Sequence, residues 1–392
     1  MIPRQIREEV ELILSKEAGI PEREGPRAVK WETIGGGSIN NTYRLQLMQA
    51  PRPFSLRLNP EQAGQETQPE TLPGKTPETL APATPHSSAF HRFFHNPFKG
   101  QSHSLSQPKS PAQPASWFCK LNTTDEFPEM FEKEIRGLAL LKSRGGMQVP
   151  RVIGLAEAAG YQVLVLEWIE EGPRRIAYEA PAGGRGGDRI GKKERRDKEK
   201  AEAADNEFWT GFGESLAKMH RVTNPFFGLE EDNYMGALPQ SNSPSDKWTD
   251  FFVSQRLEPQ VKLAVDKSLL DMPLAFTFER LYRRLPAIFP EEPPALLHGD
   301  CWGGNYLRKK DGQVMLIDPA AYYGHRSMDL AMTTLFGGFS QRFYDSYNEH
   351  YPFPDNHLEQ WEVCNLYPLL IHLNLFGEGY LPDVVESLRS FV

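Results

Sequence analysis

The spacing of apolar residues changes about halfway along the chain. In the first part, short apolar runs predict strands at residues 31–34, 41–47, 117–121 and 162–168. Apolar residues at helical spacing predict two helices there, over 2–18 and 129–141. Beyond residue 207 the spacing is helical almost throughout, with helices predicted to end near His220 and to cover 246–265, 273–285, 327–337, 340–350, 358–376 and 382–391. This order predicts an α+β protein with a β-rich N-lobe, residues 1–169, and a helical C-lobe, residues 170–392.

Two stretches interrupt this pattern. Between residues 51 and 114, 12 of the chain's 33 prolines fall among Ser, Thr, Gln and Gly, a composition that buries too little apolar surface to offset the entropy of ordering. Residues 172–206 open with Gly and Pro, and every residue from Lys192 to Lys200 is charged. We therefore expect a disordered insert at 51–114. For the charged insert at 172–206 we expect either a disordered, solvated loop or a lone exposed helix.

Composition excludes several classes of protein. A net charge of −8 does not suggest a nucleic-acid-binding surface, and no apolar run is long enough for a membrane span. The first twenty residues carry acidic side chains between their apolar positions, which argues against a secretory or organelle signal. Three widely spaced cysteines provide neither a disulfide framework nor a CxxC pair. The sequence thus predicts a cytoplasmic protein with no nucleic-acid or membrane partner.

The most informative segment contains Asp300, Asn305 and Asp318. Asp311-Gly312 predicts a tight turn between two short strands, so Asn305 and Asp318 should meet at one end of a hairpin, beside the loop of Asp300. In protein kinases the catalytic Asp and the metal-binding Asn are likewise separated by four residues, and a metal-binding Asp follows after a hairpin. The spacing therefore predicts Asp300 as the proton acceptor, and Asn305 and Asp318 as Mg²⁺ ligands. Each residue alone could be a helix cap, a turn residue or a strand end, but the joint spacing is uncommon.

Upstream residues complete the same chemistry. Lys120 lies in an apolar strand, where its charge needs an anionic partner, and Glu134 on the following helix can supply one. The ammonium is then predicted to face the phosphates of ATP. A surface lysine and an exposed glutamate are the simpler alternative.

Two backbone segments are predicted to hold the nucleotide. Glycines before Lys120 would let backbone N–H groups approach phosphate, which gives the candidate residues Gly36, Gly37, Ser38, Ile39 and Asn40, although a plain hairpin turn fits them too. Glu167, Trp168 and Ile169 end the strand before the lobes change character, where the backbone could contact adenine.

Longer motifs resemble the fructosamine-3-kinase (ketosamine-3-kinase) family. They include HGDCWGGN at 298–305, IDPA at 317–320, YGHRSMDLAM at 323–332, LFGGF at 335–339, GGGSIN at 35–40, FFGL at 226–229, DNY at 232–234, LPQ at 238–240 and HLNLFG at 372–377. They cover nearly all of the chain outside the two inserts.

The resemblance implies a bilobal, aminoglycoside-phosphotransferase-like kinase fold. It also implies ATP- and Mg²⁺-dependent phosphorylation of the sugar 3-hydroxyl of ketosamines, as small molecules or on glycated proteins, which promotes deglycation and protein repair. This assigns Asp300 as base, Asn305 and Asp318 as metal ligands, and Lys120 with Glu134 as the phosphate-orienting pair. The adenine connector would be Glu167 to Ile169.

The sequence departs from the family at three places. Cys301 replaces a usual leucine and is expected to face the core; Ser327 replaces a glutamate, which puts an ion pair there in doubt; Ser38 replaces a frequent cysteine. Trp302 could stack on the sugar or pack in the core, and His325 and Asp329 could support the catalytic loop.

Two alternative functions remain open. The same fold could phosphorylate choline, an aminoglycoside or another sugar. A binding protein on a kinase scaffold is a second class, which the intact Lys120, Asp300, Asn305 and Asp318 disfavour.

Overall fold

A computed structural model describes residues 2–21, 24–35, 40–48, 115–173, 192–389 and 391. The chain divides into two units: residues 1–48 together with 114–392, and residues 49–113. The second unit contains most of the first predicted insert and lies outside the described residues. Every residue of the site described below belongs to the first unit.

A five-stranded antiparallel sheet forms the N-lobe. Its strands follow the order β1-β2-β3-β5-β4 and are β1 (Val29–Thr33), β2 (Asn41–Leu47), β3 (Ser116–Thr123), β4 (Val152–Ala158) and β5 (Tyr161–Glu167). Helix α1 (Arg4–Glu17) buries Ile6, Val10 and Leu14 against one face of this sheet. Helix α2 (Met130–Ser143) connects β3 to β4.

The alternation of β3 decides which of its side chains reach the cleft. Trp117, Cys119 and Leu121 belong to the small core that α1 covers. Because successive side chains of a strand point to opposite faces, Phe118 and Lys120 point away from that core, and both line the cleft between the lobes. The side chains on one face of β3 therefore anchor the strand in the core, while those on the other face line the cleft.

The C-lobe is mostly helical. Its helices are α3 (Lys192–His220), α4 (Trp248–Phe251), α5 (Glu258–Asp266), α6 (Met272–Ile288), α7 (Ser327–Leu335), α8 (Gln341–His350), α9 (His357–Phe376) and α10 (Leu381–Arg389). A π-helical segment, Phe252–Leu257, joins α4 to α5. Helix α3 packs on α8 and α7 packs on α9, which is buried along most of its length.

Three two-stranded ribbons lie among these helices. They pair β6 (Asn233–Met235) with β7 (Leu238–Gln240), β8 (Ala295–Leu297) with β11 (Tyr322–Gly324), and β9 (Tyr306–Arg308) with β10 (Val314–Leu316). The β9–β10 ribbon is the hairpin that the sequence predicts, with Gly312 at φ +80° in its turn. The β6–β7 and β8–β11 ribbons were not predicted, because three-residue strands leave no alternating pattern.

Strand β4 was also absent from the sequence prediction. It is the outer strand of the sheet and contains Gly154, which weakens a strand signal. The glycine has a packing reason, since a Cβ there would lie 2.7 Å from Cγ2 of Ile13 on α1. The helix thus approaches the sheet closely at this position.

Of the two alternatives for the second insert, the exposed helix is the one that residues 192–206 form, and the expected disorder is wrong for them. Residues 192–206 form the first turns of α3, with i,i+4 ion pairs such as Arg195–Glu199 along the exposed surface. Near the end of the range, Asp205 accepts a 2.6 Å hydrogen bond from the buried guanidinium of Arg308. Continuity with a packed helix and this buried partner stabilise a sequence that composition alone describes as solvated.

Candidate active site

A cleft of about 790 Å³ lies between the lobes. Its walls come from β2, β3, α2 and the connector after β5 on one side, and from β6, the loop after β8, the β9–β10 ribbon and α9 on the other. The described residues among those that the sequence singles out for nucleotide, metal and catalysis all line it: Asn40, Lys120, Glu134, Glu167, Trp168, Ile169, Asp300, Asn305 and Asp318. Residues 36–39, which include Gly36, Gly37, Ser38 and Ile39, lie outside the described residues.

Lys120 is the centre of a buried ionic cluster. Its ammonium lies 2.7 and 2.8 Å from the two carboxylate oxygens of Glu134 and 2.8 Å from Oδ1 of Asp318. Burial opposes protonation of this amine, but Asp318 and Glu134 outweigh that effect and raise its pKa. The ammonium is therefore charged at neutral pH. The structure thus brings together the predicted pair from the N-lobe and the predicted aspartate from the C-lobe.

The loop that holds Asp300 is fixed from behind by Asp329. The Asp329 carboxylate accepts hydrogen bonds from the backbone N–H groups of His298 (2.7 Å) and Gly299 (2.9 Å), and it also lies 3.2 Å from Nε2 of His220. Gly299 has φ +84°, and a Cβ there would lie 2.0 Å from the carbonyl oxygen of Ala320. No residue but glycine fits that turn.

Asp300 and Asn305 contact each other directly. The Asn305 amide donates to the Asp300 carboxylate (2.7 Å) and to its backbone carbonyl (2.9 Å). Across the ribbon, the backbone N–H of Ile317 donates to the carbonyl of Asn305 (3.0 Å), so Asp318 follows directly from a residue bonded to Asn305. The hairpin therefore brings the three residues to one place in the cleft, as its spacing predicts.

The Asp300 carboxyl has an unusual affinity for protons. Burial raises its pKa to about 7; the hydrogen bond from Asn305 opposes the change, and the charges of Asp318 and Asp329 add to it. A carboxyl with a pKa near neutrality can accept a proton and later release it. Perturbed groups of this kind cluster at functional sites.

Oxygen atoms are available for a cation near this point. Asp318 has a left-handed backbone (φ +55°), and its side chain is 44% exposed to the cleft. The amide nitrogen of Asn305 is committed to Asp300, which leaves the amide oxygen as an acceptor. Within the described ranges, no three Asp, Glu, His or Cys side chains are grouped to hold a metal ion. A cation here would depend on one carboxylate, one amide and oxygens from a ligand.

The connector between the lobes supplies a flat apolar slot. Apolar side chains line this part of the cleft, namely Ile34, Phe118, Pro150, Leu166, Leu307 and Ile317. The Glu167 carboxylate is occupied with the backbone N–H of Arg151 (2.8 Å), and the Trp168 ring lies under the guanidinium of Arg44. These contacts fix the side chains of the connector. Asn40 accepts a 2.9 Å hydrogen bond from Asn122 on β3.

The opposite end of the cleft is lined by aromatic residues. Trp302 is 36% exposed and packs edge-to-face on Phe336, whose ring also contacts His372. Phe376, which packs against His372, completes this wall. Trp302 therefore lines the cleft and is not a core residue. The other three residues lie within longer motifs of the sequence, but their grouping depends on the end of α7 and on α9, which are distant along the chain.

Two further expectations concern Cys301 and His325, which lie close to the catalytic loop in sequence or in the C-lobe core. Cys301 is buried, as expected. His325 does not contact Asp329; the buried histidine on that carboxylate is His220, whose Nδ1 lies 2.8 Å from the Tyr347 hydroxyl. His325 instead lies 3.7 Å from Glu292.

The corner at Ser327 retains an ion pair of a different origin. Arg326 donates to both carboxylate oxygens of Glu292, at 2.9 and 3.1 Å. Ser327 itself donates to Gln360 (2.8 Å). The ion pair at this corner is therefore made by Glu292, which lies 34 residues from Arg326 in sequence.

This combination of a β-rich lobe, a helical lobe and a lysine–carboxylate cluster across the cleft defines a bilobal, protein-kinase-like enzyme. The profile of the fructosamine kinase family matches residues 101–181 and 199–392. The chain belongs to that family; it is a kinase, and the family implies ATP as its phosphoryl donor.

Individual relatives agree with this assignment. A Synechocystis protein named a probable ketoamine kinase is 34% identical over 275 residues, covering 70% of this chain and 82% of the relative. The mouse ketosamine-3-kinase is 31% identical over 277 residues, covering 70% and 87%.

Two crystal structures have a similar fold. A Thermobifida fusca protein described as a fructosamine-3-kinase superposes with a TM-score of 0.64 at 25% identity, covering 98% of both chains. A Haemophilus somnus protein of the same description gives a TM-score of 0.64 at 19% identity, covering 98% of this chain and 96% of that one, and bears on the fold alone.

Proposed function

We propose that this protein transfers the γ-phosphoryl group of ATP to the sugar 3-hydroxyl of ketosamines, the adducts that ribose, erythrose or glucose derivatives form with amines. Support for the reaction comes from one observation above all: the Lys120–Glu134–Asp318 cluster and the Asp300–Asn305 pair line the same cleft. Support for the acceptor comes from the relatives, whose names specify ketoamines and ketosamines.

Asp300 is the proposed proton acceptor. The attacking hydroxyl must lose its proton as the new O–P bond forms, and a carboxylate at the cleft floor can take it. A pKa of about 7 leaves a large fraction of Asp300 ionised at neutral pH and keeps it basic enough to accept that proton. The Asn305 amide holds the carboxylate in place through its 2.7 Å hydrogen bond.

Lys120 is the proposed donor to the phosphates. Glu134 fixes the ammonium from the N-lobe side, so the charge is oriented before the nucleotide arrives. The connector from Glu167 to Ile169 and residues 36–40 are proposed to hold adenine and phosphates respectively, as their positions in the sequence suggest.

Asp318 and Asn305 would hold Mg²⁺. The donor set suits this ion, because Mg²⁺ in phosphoryl-transfer sites takes oxygen ligands, usually one or two from the protein and the rest from phosphate and water. When bound, the ion would neutralise developing charge on the phosphates. The chain's own contribution is an exposed carboxylate and an amide oxygen that a hydrogen bond has already oriented.

The aromatic wall of Trp302 and Phe336 is the proposed acceptor site. Flat apolar rings suit the less polar face of a sugar, and the opening beside them would admit either a free ketosamine or a glycated lysine side chain. Phosphate at the 3-position would destabilise the adduct and release the amine, which amounts to deglycation and protein repair. Three buried, unpaired cysteines are consistent with a cytoplasmic location.

A panel of acceptors tests the proposal. Purified protein with Mg²⁺ and ATP should phosphorylate ribulosamine and fructosamine derivatives of lysine, with Asp300→Ala as the inactive control. Choline and aminoglycosides should give no turnover above that control. Turnover of choline or an aminoglycoside, with none on any ketosamine, would replace the proposed acceptor while leaving the kinase assignment intact.

A further inference from the structure

The β6–β7 ribbon contacts helix α2 from the opposite lobe. Arg136 on α2 pairs with Glu231, just before β6, at 2.8 Å. The Tyr234 hydroxyl donates a 3.0 Å hydrogen bond to the carbonyl of Pro128, just before α2. The Lys133 ammonium lies 5.2 Å from the centroid of the Tyr234 ring, within reach of a cation–π interaction. An ion pair, a hydrogen bond and a cation–π contact thus connect α2 to the C-lobe.

These contacts use a single face of α2. Lys133 and Arg136 are three residues apart, so they lie on the same side of the helix and face the C-lobe. Glu134 lies next to Lys133 in sequence, about 100° further round, and reaches Lys120. Any rotation or lifting of α2 that broke the contacts with Glu231 and Tyr234 would also move the carboxylate of Glu134.

The inner side of the ribbon holds the chain that follows Asp318. Asn233 donates to the carbonyl of Ala321 (2.9 Å), and Gln240 donates to that of Ala320 (3.3 Å). Gln240 and Asn242 both donate to the Asn233 side chain, at 2.8 and 3.0 Å. All three amides are buried, so the cost of disrupting this network is high.

Helix α2 also passes directly over the same segment. A Cβ at Gly137 would lie 3.3 Å from Cγ of Pro319 and 3.7 Å from Cβ of Ala321. The ribbon and this close approach together join α2, which carries Glu134, to the residues just after Asp318. Lys120 contacts the carboxylates of both Glu134 and Asp318, so its position depends on how α2 is held against the segment that follows Asp318.

We propose that Glu231 and Tyr234 are positioning residues for phosphoryl transfer, which act by holding α2 so that Glu134 stays on Lys120. The C-lobe ribbon then aligns the N-lobe lysine by itself, without a separate activating event such as phosphorylation of a loop. This inference rests on the proposed role of Lys120 in binding ATP, and it does not depend on the identity of the acceptor.

The test compares two double variants. Glu231→Gln/Tyr234→Phe removes the ion pair and the hydroxyl bond but keeps the ring that lines the cleft. Glu230→Gln/Tyr161→Phe is the matched control, since Glu230 is exposed and Tyr161 lies at the start of β5, away from the site. Affinity for a non-hydrolysable ATP analogue with Mg²⁺ is measured by calorimetry. We expect the first variant to bind three- to tenfold more weakly and the control to bind like the native protein.

The same substitutions in a Glu134→Gln background separate positioning from general stability. If Glu231 and Tyr234 act through Glu134, the triple variant Glu134→Gln/Glu231→Gln/Tyr234→Phe should bind the ATP analogue no more weakly than Glu134→Gln alone. Equal losses in both backgrounds would overturn the proposal, as would unchanged affinity in the native background. Should the double variant fail to fold, Tyr234→Phe alone, which removes one oxygen atom, should still show a two- to threefold loss confined to the native background.

A separate measurement distinguishes this role from direct contact with the acceptor. With an accepted ketosamine, Tyr234→Phe should raise KM for ATP and leave KM for the acceptor unchanged. A rise in acceptor KM with normal nucleotide affinity would place Tyr234 in the acceptor site and refute the positioning role. Calorimetry with the ATP analogue contains no acceptor, so failure of the ketosamine proposal would leave that result standing.

Discussion

The two ends of the cleft are built in different ways. At one end, Lys120 and Glu134 are almost fully buried and meet through short ionic contacts with fixed geometry. At the other end, Trp302 and Phe336 are partly exposed and meet through ring contacts alone. In the proposed roles, a charge cluster that aligns phosphates tolerates little displacement, whereas adaptable apolar surface can hold a sugar. Chemistry and selectivity can therefore change independently in this fold.

Loss of Asp300, the proposed proton acceptor, should have the largest effect. Asp300→Asn is expected to lower kcat by about 10²–10⁴-fold, the usual contribution of a general base. Affinity for the ATP analogue should change little, because Asp300 does not contact Lys120. Steady-state kinetics and calorimetry on the same preparation check this. Near-normal kcat would show that Asp300 is not the base.

Asp318→Asn should damage the nucleotide end specifically. Lys120 would lose one of its two carboxylate partners, and the oxygen donor with the greatest exposure would lose its charge. We expect Mg²⁺-dependent affinity for the ATP analogue to fall at least tenfold, while affinity without Mg²⁺ falls much less. A loss that is identical with and without the ion would argue against a metal-binding role for this aspartate.

The pH dependence should separate proton transfer from nucleotide binding. Because burial raises the pKa of Asp300 to about 7, its protonated form dominates below that value and cannot act as base. We therefore expect kcat to fall as pH drops through about 7, approaching tenfold per unit. Lys120, with its raised pKa, stays charged over this range, so nucleotide affinity should remain nearly flat. A flat kcat profile between pH 5.5 and 8 would contradict the assignment.

The smallest effect is expected at the acceptor end. Trp302→Ala should raise KM for the ketosamine by about tenfold or less, in line with the value of one stacked ring, and leave KM for ATP unchanged. Tyr161→Phe serves again as a control away from the cleft. A rise in KM for ATP alone would show that Trp302 contributes to nucleotide binding and not to acceptor binding.

Sequence reasoning located the charge cluster far better than the aromatic wall. Asp300, Asn305 and Asp318 lie within a single loop and hairpin, so their spacing along the chain already limits where their side chains can meet. Phe336 directly follows α7 and His372 lies on α9, and the packing of α7 on α9 brings them together. Spacing cannot show such a contact, because it depends on tertiary structure.

The same limit explains the error at the second insert. Composition describes 192–206 as solvated, and most of its side chains are indeed exposed. Asp205 is only partly exposed and pairs with Arg308, which lies 103 residues later. A short stretch of sequence around Asp205 shows its negative charge but not the buried cation of Arg308 that pairs with it.

That contact has a practical consequence for anyone trimming the chain. Arg308 ends strand β9, three residues after Asn305, and besides Asp205 its guanidinium donates to the carbonyl of Ala204 and lies over the Phe208 ring. A deletion spanning 172–206 would leave this cation in the interior without its counter-ion, within the hairpin that begins next to Asn305. A cut that ends before Ala204 would preserve the hairpin's support while still shortening the loop.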